Sequence, residues 1–134
     1  MLKQIFSTES IYPDQALAVV RIITGMFMIY HGMEVFDKNT MMGYTDWDVF
    51  KKFPSATVVV YIGKSAEFIA GIMLTLGWGT RIASIILAAT MIYITFFVGG
   101  GKFWYGDQHP FLFVLLAIIF FFVCPGAWTL FRKQ

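Results

Sequence analysis

Apolar residues are gathered into four long runs, and polar residues are confined to the stretches between them. The first run opens at Pro13-Asp14. Proline there gives up only an N–H that would have no partner, and the carboxylate suits the positive end of a helix. A helix is expected over 14–36, with Arg21, Gly25, Met28 and Gly32 sharing one face. A second is expected over 55–76, closed by the turn Gly77-Trp78-Gly79-Thr80. The third is expected over 81–98, where Gly99-Gly100-Gly101 forfeits helix propensity. A fourth starts at Pro110 and fills a full span only if it continues past Pro125 and Gly126, which sets its range at 110–131.

The segment 37–54 is the longest polar connection. Trp47, Phe50 and Phe53 recur in it at helical spacing among charged residues, which fits a short helix on a membrane surface. An irregular loop fits equally well. Met1–Tyr12 is short and mixed, and Ile5, Phe6, Ile11 and Tyr12 suit an interface. No cleavable leader is expected, because Lys3 is isolated and the first apolar run contains Arg21.

Composition turns these runs into membrane spans. Apolar residues make up 58% of the 134 and charged residues only 13%, which is more apolar surface than one small soluble core can hide. The expectation is a single transmembrane domain, an all-α four-helix bundle in contact with the lipid bilayer. Trp47, Trp78, Trp104 and Trp128 all fall at expected span ends, as an aromatic belt requires. Four spans place both termini on one side. Lys3, Arg21, Arg81, Arg132 and Lys133 there outnumber Lys38, Lys51, Lys52 and Lys102 opposite, which favours cytoplasmic termini. A net charge of +2 without a basic cluster excludes nucleic acid as a partner. The single cysteine, Cys124, excludes an internal disulfide and reads as a small buried hydrophobe.

Charges inside the runs carry the candidate chemistry. A charge near the centre of a membrane helix costs at least ~2.5–3.5 kcal/mol on insertion scales, so it is kept for a partner or a function. Lys64 and Glu67 lie inside the second run, His31 and Glu34 near the end of the first, and Asp107 and His109 at the start of the fourth. With four antiparallel spans, all six reach one end of the bundle. Lys64 and Glu67, like His31 and Glu34, are three residues apart and can meet on one helix face. Each has a structural reading as well. Lys64 and Glu67 can neutralise each other while the lysine snorkels outward, Glu34 can be solvated, and Asp107 and His109 can cap the fourth helix. Arg21, two turns into the first helix, needs a lipid phosphate, a helix-end carbonyl or an acidic partner. Gly25, Gly32, Gly71 and Gly77 are the expected packing positions.

Two histidines are thin support for haem, and the methionines around His31 read as packing rather than as copper ligands. No metal site and no cofactor within the chain itself is expected. No phosphate loop or hydrolytic triad spacing is present.

The run Arg21-Ile-Ile-Thr-Gly25 with His31-Gly32, followed by Glu67, Gly71, Leu74, Gly77 and Arg81, resembles the DoxX family of small four-helix bacterial membrane proteins. Pro125-Gly126 before Trp128-Thr129-Leu130 resembles that family's closing motif. The chain departs from the family pattern in having Glu34 where lysine is usual, Cys124 in place of a glycine, Phe131 in place of an acid, and Gln108 or His109 in place of a carboxylate. The resemblance implies a bacterial inner-membrane protein, not catalytic alone, that serves as an accessory subunit of a respiratory or redox-linked complex and touches quinone. The alternatives are an assembly factor or a stand-alone membrane protein that binds lipid or a small molecule.

Overall fold

The computed structural model describes residues 7–123 and 125–131. The expectations for Lys3, Ile5, Phe6, Cys124, Arg132 and Lys133 lie outside the described residues. Among these residues six α-helices follow one another: α1 Pro13–Gly32, α2 Lys38–Thr45, α3 Asp48–Lys51, α4 Ala56–Leu76, α5 Thr80–Tyr93 and α6 Gln108–Val123. No strand occurs among the described residues.

The first three spans follow the sequence closely. α1 starts with Pro13 in its first turn and runs on through a 3-10 turn, Met33–Phe36. α4 ends in a Schellman cap: Gly77 is left-handed (φ 69°), its N–H donates to the Leu74 carbonyl, and Trp78 N–H donates to that of Met73. α5 widens into a π-helical turn, Ile94–Val98, before the glycines stop it. These three helical runs are long and apolar enough to cross a membrane; α6 is apolar but shorter. At 1.5 Å per residue its length is about 24 Å.

The fourth span requires a correction at its far end. Helix stops at Val123, and residues 125–131 are not helical. Gly126 (φ 70°) and Trp128 (φ 52°) adopt left-handed conformations, which a right-handed helix does not run through. The segment instead folds back over the bundle: Ala127 N–H donates to the Asp14 carbonyl and Leu130 N–H to that of Leu76. The connection 37–54 also differs from one surface helix. It forms α2 and α3, whose Met41 and Phe50 are buried against Val60 of α4 and partly buried Tyr93 and Val98.

α1 packs most extensively on α4, and α6 on α5. Met28, Leu74, Leu87 and Phe120, one from each long helix, meet in the core. The outward faces stay apolar and exposed, as at Ile23, Phe27, Ile69, Ile85 and Ile119, which suits lipid. The tryptophans at positions 47, 78, 104 and 128 are all exposed outside the helical spans.

The α1–α4 contact is backbone against backbone. A Cβ at Gly71 would stand 2.6 Å from Ile29 N and 2.8 Å from the Gly25 carbonyl; one at Gly32 would strike the Phe68 backbone. Gly25 sits opposite, where a Cβ would lie 2.7 Å from Thr75 N. Gly71→Ala is therefore expected to push α1 and α4 apart and lower stability by about 1–3 kcal/mol, as overpacking does. Thermal unfolding in detergent checks this. A melting temperature equal to wild type would show that the helices have room to spare.

Candidate functional site

Two polar sites lie at opposite ends of the α1–α4 pair. The first is Arg21, which is fully buried. Its Nη1 donates to the Leu74 carbonyl (2.9 Å), and its Nη2 to the carbonyls of Ala127 (3.1 Å) and Trp128 (2.9 Å). Of the partners open to it from sequence, Arg21 uses helix-end and chain carbonyls. A Cβ at Gly77 would collide with the guanidinium, so that glycine serves both the left-handed cap and the room for Arg21. Its role is close approach rather than helix-on-helix packing.

The second site surrounds Lys64. Its ammonium lies 2.8 Å from Glu34 Oε2 and 3.0 Å from Glu67 Oε2, and it donates to the His31 carbonyl at 3.5 Å. Tyr44 donates its hydroxyl to Glu34 (2.7 Å), and its ring centre stands 5.1 Å from the ammonium. Burial and the bond to Glu34 hold the Tyr44 hydroxyl above its ordinary pKa. Glu67 is only 4% exposed, and the Lys64 side chain 16%. Lysine therefore does not snorkel away: it turns inward between two carboxylates. Two acids and one base leave this group with one excess negative charge when all are ionised.

The remaining candidates stand nearby in different roles. The His31 ring is 6.5 Å from that of His109 and 5.6 Å from that of Tyr30, so α1 and α6 approach at this end. His31 and Glu34 form no hydrogen bond or ion pair with each other among the described residues, since Glu34 is engaged by Lys64 and Tyr44. Asp107 faces its own loop: its carboxylate accepts from the N–H groups of Gly100 (3.0 Å) and Lys102 (2.9 Å). It organises the glycine loop rather than supplying a side-chain cap to α6. Asp37, by contrast, does cap a helix. It accepts from the Thr40 hydroxyl and Asn39 N–H at the start of α2, and these two donors hold its carboxyl below the ordinary range.

Lys64 and Glu67 form part of the wall of a cavity of about 440 Å³ between α4, α5 and the α2–α3 segment. The rest of the wall is largely apolar, including Trp47, Phe50, Val60, Tyr93 and Ile94. On the outer side of α4, a more open groove of about 550 Å³ runs past Val58, Ser65, Ile69 and Ile86, and shares Ile62 and Ala66 with the cavity. Sequence reasoning did not find Tyr44 or Tyr93. An uncharged aromatic inside an apolar or amphipathic run carries no signal of its own; only the meeting of three chain segments marks these two. Among the described residues, no three histidine, cysteine or acidic side chains come together in a way that could hold a metal ion.

A helical bundle with lipid-facing apolar surfaces and a cavity walled by a buried ion-pair group defines a multi-pass integral membrane protein with a built internal polar site. The chain belongs to the DoxX family, whose model matches residues 16–100. That match takes in the Lys64 group and the cavity wall, while Asp107, His109 and the folded-back segment lie beyond it. No curated protein and no solved structure matches the chain.

Proposed function

We propose that this protein is a non-catalytic, ligand-binding accessory subunit of a redox-linked complex in the bacterial inner membrane, with cytoplasmic termini, and that the cavity takes a quinol headgroup. The observation that carries this reading is the placement of Glu67 and Lys64 in an otherwise apolar wall. Quinol oxidation to quinone releases two protons and two electrons. A carboxylate beside the headgroup can accept a hydroxyl proton, and an adjacent ammonium limits the charge change. The electrons go to an electron-carrying partner subunit, because the side chains of this site offer acid–base chemistry alone. The groove that shares Ile62 and Ala66 with the cavity lies beside it on the outer side of α4, an apolar surface on which the tail of such a ligand can rest.

Trp47 provides the test, since it stands in the cavity wall. Titrating the protein in nanodiscs with a short-chain benzoquinone is expected to quench fluorescence saturably, and Trp47→Phe should remove that quench. Gly63→Leu should abolish binding by filling the cavity, because a Cβ there meets nothing within 4 Å. Glu67→Gln is expected to weaken the corresponding quinol, read by competition, by about tenfold while sparing the quinone, the effect of losing one charge-assisted hydrogen bond. Linear quenching that persists in Gly63→Leu would mean the probe is dissolving in lipid, and the reading would fall.

A further inference from the structure

We infer that Trp47 is the specificity-determining residue of this cavity: its indole N–H donates a hydrogen bond to a second oxygen on the ligand whose hydroxyl meets Glu67. The inference rests on the ligand-binding reading above and adds which way round the ligand lies. It follows from an inventory of the polar side chains in the wall, which are Tyr44, Trp47, Lys64, Glu67, Thr90 and Tyr93. The three ammonium hydrogens of Lys64 are matched by three acceptors, Glu34, Glu67 and the His31 carbonyl. The Tyr44 hydroxyl donates to Glu34, and that of Thr90 to the Ile86 carbonyl one turn back on α5. The Tyr93 hydroxyl has no partner among the described residues, but it is sealed off and nothing in the cavity reaches it. Two groups are left. Glu67 engages Lys64 through Oε2, while its Oε1 has no hydrogen-bond partner among the described residues and is not sealed. The Trp47 indole N–H likewise has no partner among them, and the residue is 47% exposed. An indole N–H only donates and a carboxylate oxygen only accepts, so the wall offers a ligand one donor and one acceptor.

The surroundings of Trp47 hold its ring in place. It is the N-cap residue of α3; its backbone N–H donates to the Tyr44 carbonyl, and its own carbonyl accepts from Phe50 N–H. The indole stands edge-on to the Tyr44 ring, with centroids 5.1 Å apart, and stacks on Phe50 at 6.3 Å. Tyr44 is itself fixed by its bond to Glu34, so the indole is placed before a ligand arrives. Trp47, Trp78, Trp104 and Trp128 are all exposed, but of the four only Trp47 stands in the wall of this cavity, which sets it apart from an interfacial anchor. Glu67, only 4% exposed, receives the deeper end of the ligand, and the other end lies against α3. The ligand class this selects is an apolar ring with a hydroxyl at one end for Glu67 and an acceptor oxygen at the other for Trp47.

Replacing Trp47 by benzothienylalanine keeps the bicyclic ring and its stack and exchanges only the N–H for sulfur. Two probes are titrated calorimetrically into nanodiscs of both proteins: decyl-hydroquinone, held reduced, and m-decylphenol, which lacks one of the two oxygens. The expected result is an affinity for the hydroquinone about tenfold lower in the substituted protein, an unchanged affinity for the phenol, and an unchanged ligand-free melting temperature. Equal losses for both probes would overturn the assignment, because the ring rather than its N–H would then be what the ligand meets. A lower ligand-free melting temperature would overturn it too, by giving the N–H a partner within the protein. Hydroquinone binding that the substitution leaves untouched overturns the Trp47 assignment alone. Failure of the wild type to bind either probe overturns the quinol reading and this assignment together.

Discussion

Arg21→Met is expected to free residues 125–131 from the bundle and to lower stability by about 2–4 kcal/mol. The carbonyls of Ala127 and Trp128 each lose the guanidinium, and a buried acceptor left unmade costs about 1–3 kcal/mol. The Leu74 carbonyl keeps the Gly77 N–H and loses less. Relief from burying a cation offsets part of the total. Lysine is not a substitute, because one ammonium cannot reach three carbonyls in the directions a planar fork does. Thermal unfolding, with limited proteolysis of the C-terminal segment, checks the outcome. Cleavage at the wild-type rate in Arg21→Met would show that the segment is held by its backbone bonds to Asp14 and Leu76 alone.

Lys64→Met is expected to be the most damaging single change at the other end, at about 3–5 kcal/mol. It leaves Glu67 buried without its counter-charge and Glu34 nearby with only Tyr44. Removing the orphaned acid as well should recover much of the loss, so the double variant Lys64→Met/Glu67→Gln is expected to be more stable than Lys64→Met alone. Unfolding temperatures of the four proteins in a mutant cycle measure the coupling. Additive losses would mean that lysine and glutamate do not depend on each other and that the inward turn of Lys64 has another cause.

The sequence made the helices legible because strong local signals bounded them. Pro13-Asp14, Gly77-Trp78-Gly79 and Gly99–Gly101 each impose a backbone preference that no packing overrides here. The inward charges were equally visible, since their cost in lipid makes them conspicuous. Two things were hidden. Pro125 marks a helix end, but a proline says nothing about where the chain goes next. The fold-back is decided by Arg21, more than a hundred residues away, and by left-handed backbone at Gly126 and Trp128. The pairing of Lys64 with Glu34 was hidden for the same reason: spacing reports neighbours along one helix, here Glu67, and is silent on what the next helix brings. The cavity belongs to neither helix. It exists because α2 and α3 meet α4 and α5 there, which periodicity does not encode.

The two ends of the α1–α4 pair are built on opposite plans. At one, a guanidinium and a doubled-back strand of chain draw the helices together; at mid-depth Met28, Leu74, Leu87 and Phe120 fill the interior. At the other, Gly32 still holds α1 against Phe68 of α4, while α4, α5 and the α2–α3 segment enclose a cavity walled in part by Lys64, Glu67 and aromatic rings. The glycine contact with α1 and the cavity use different residues of α4, so a change in the cavity wall can leave the tight helix pair intact.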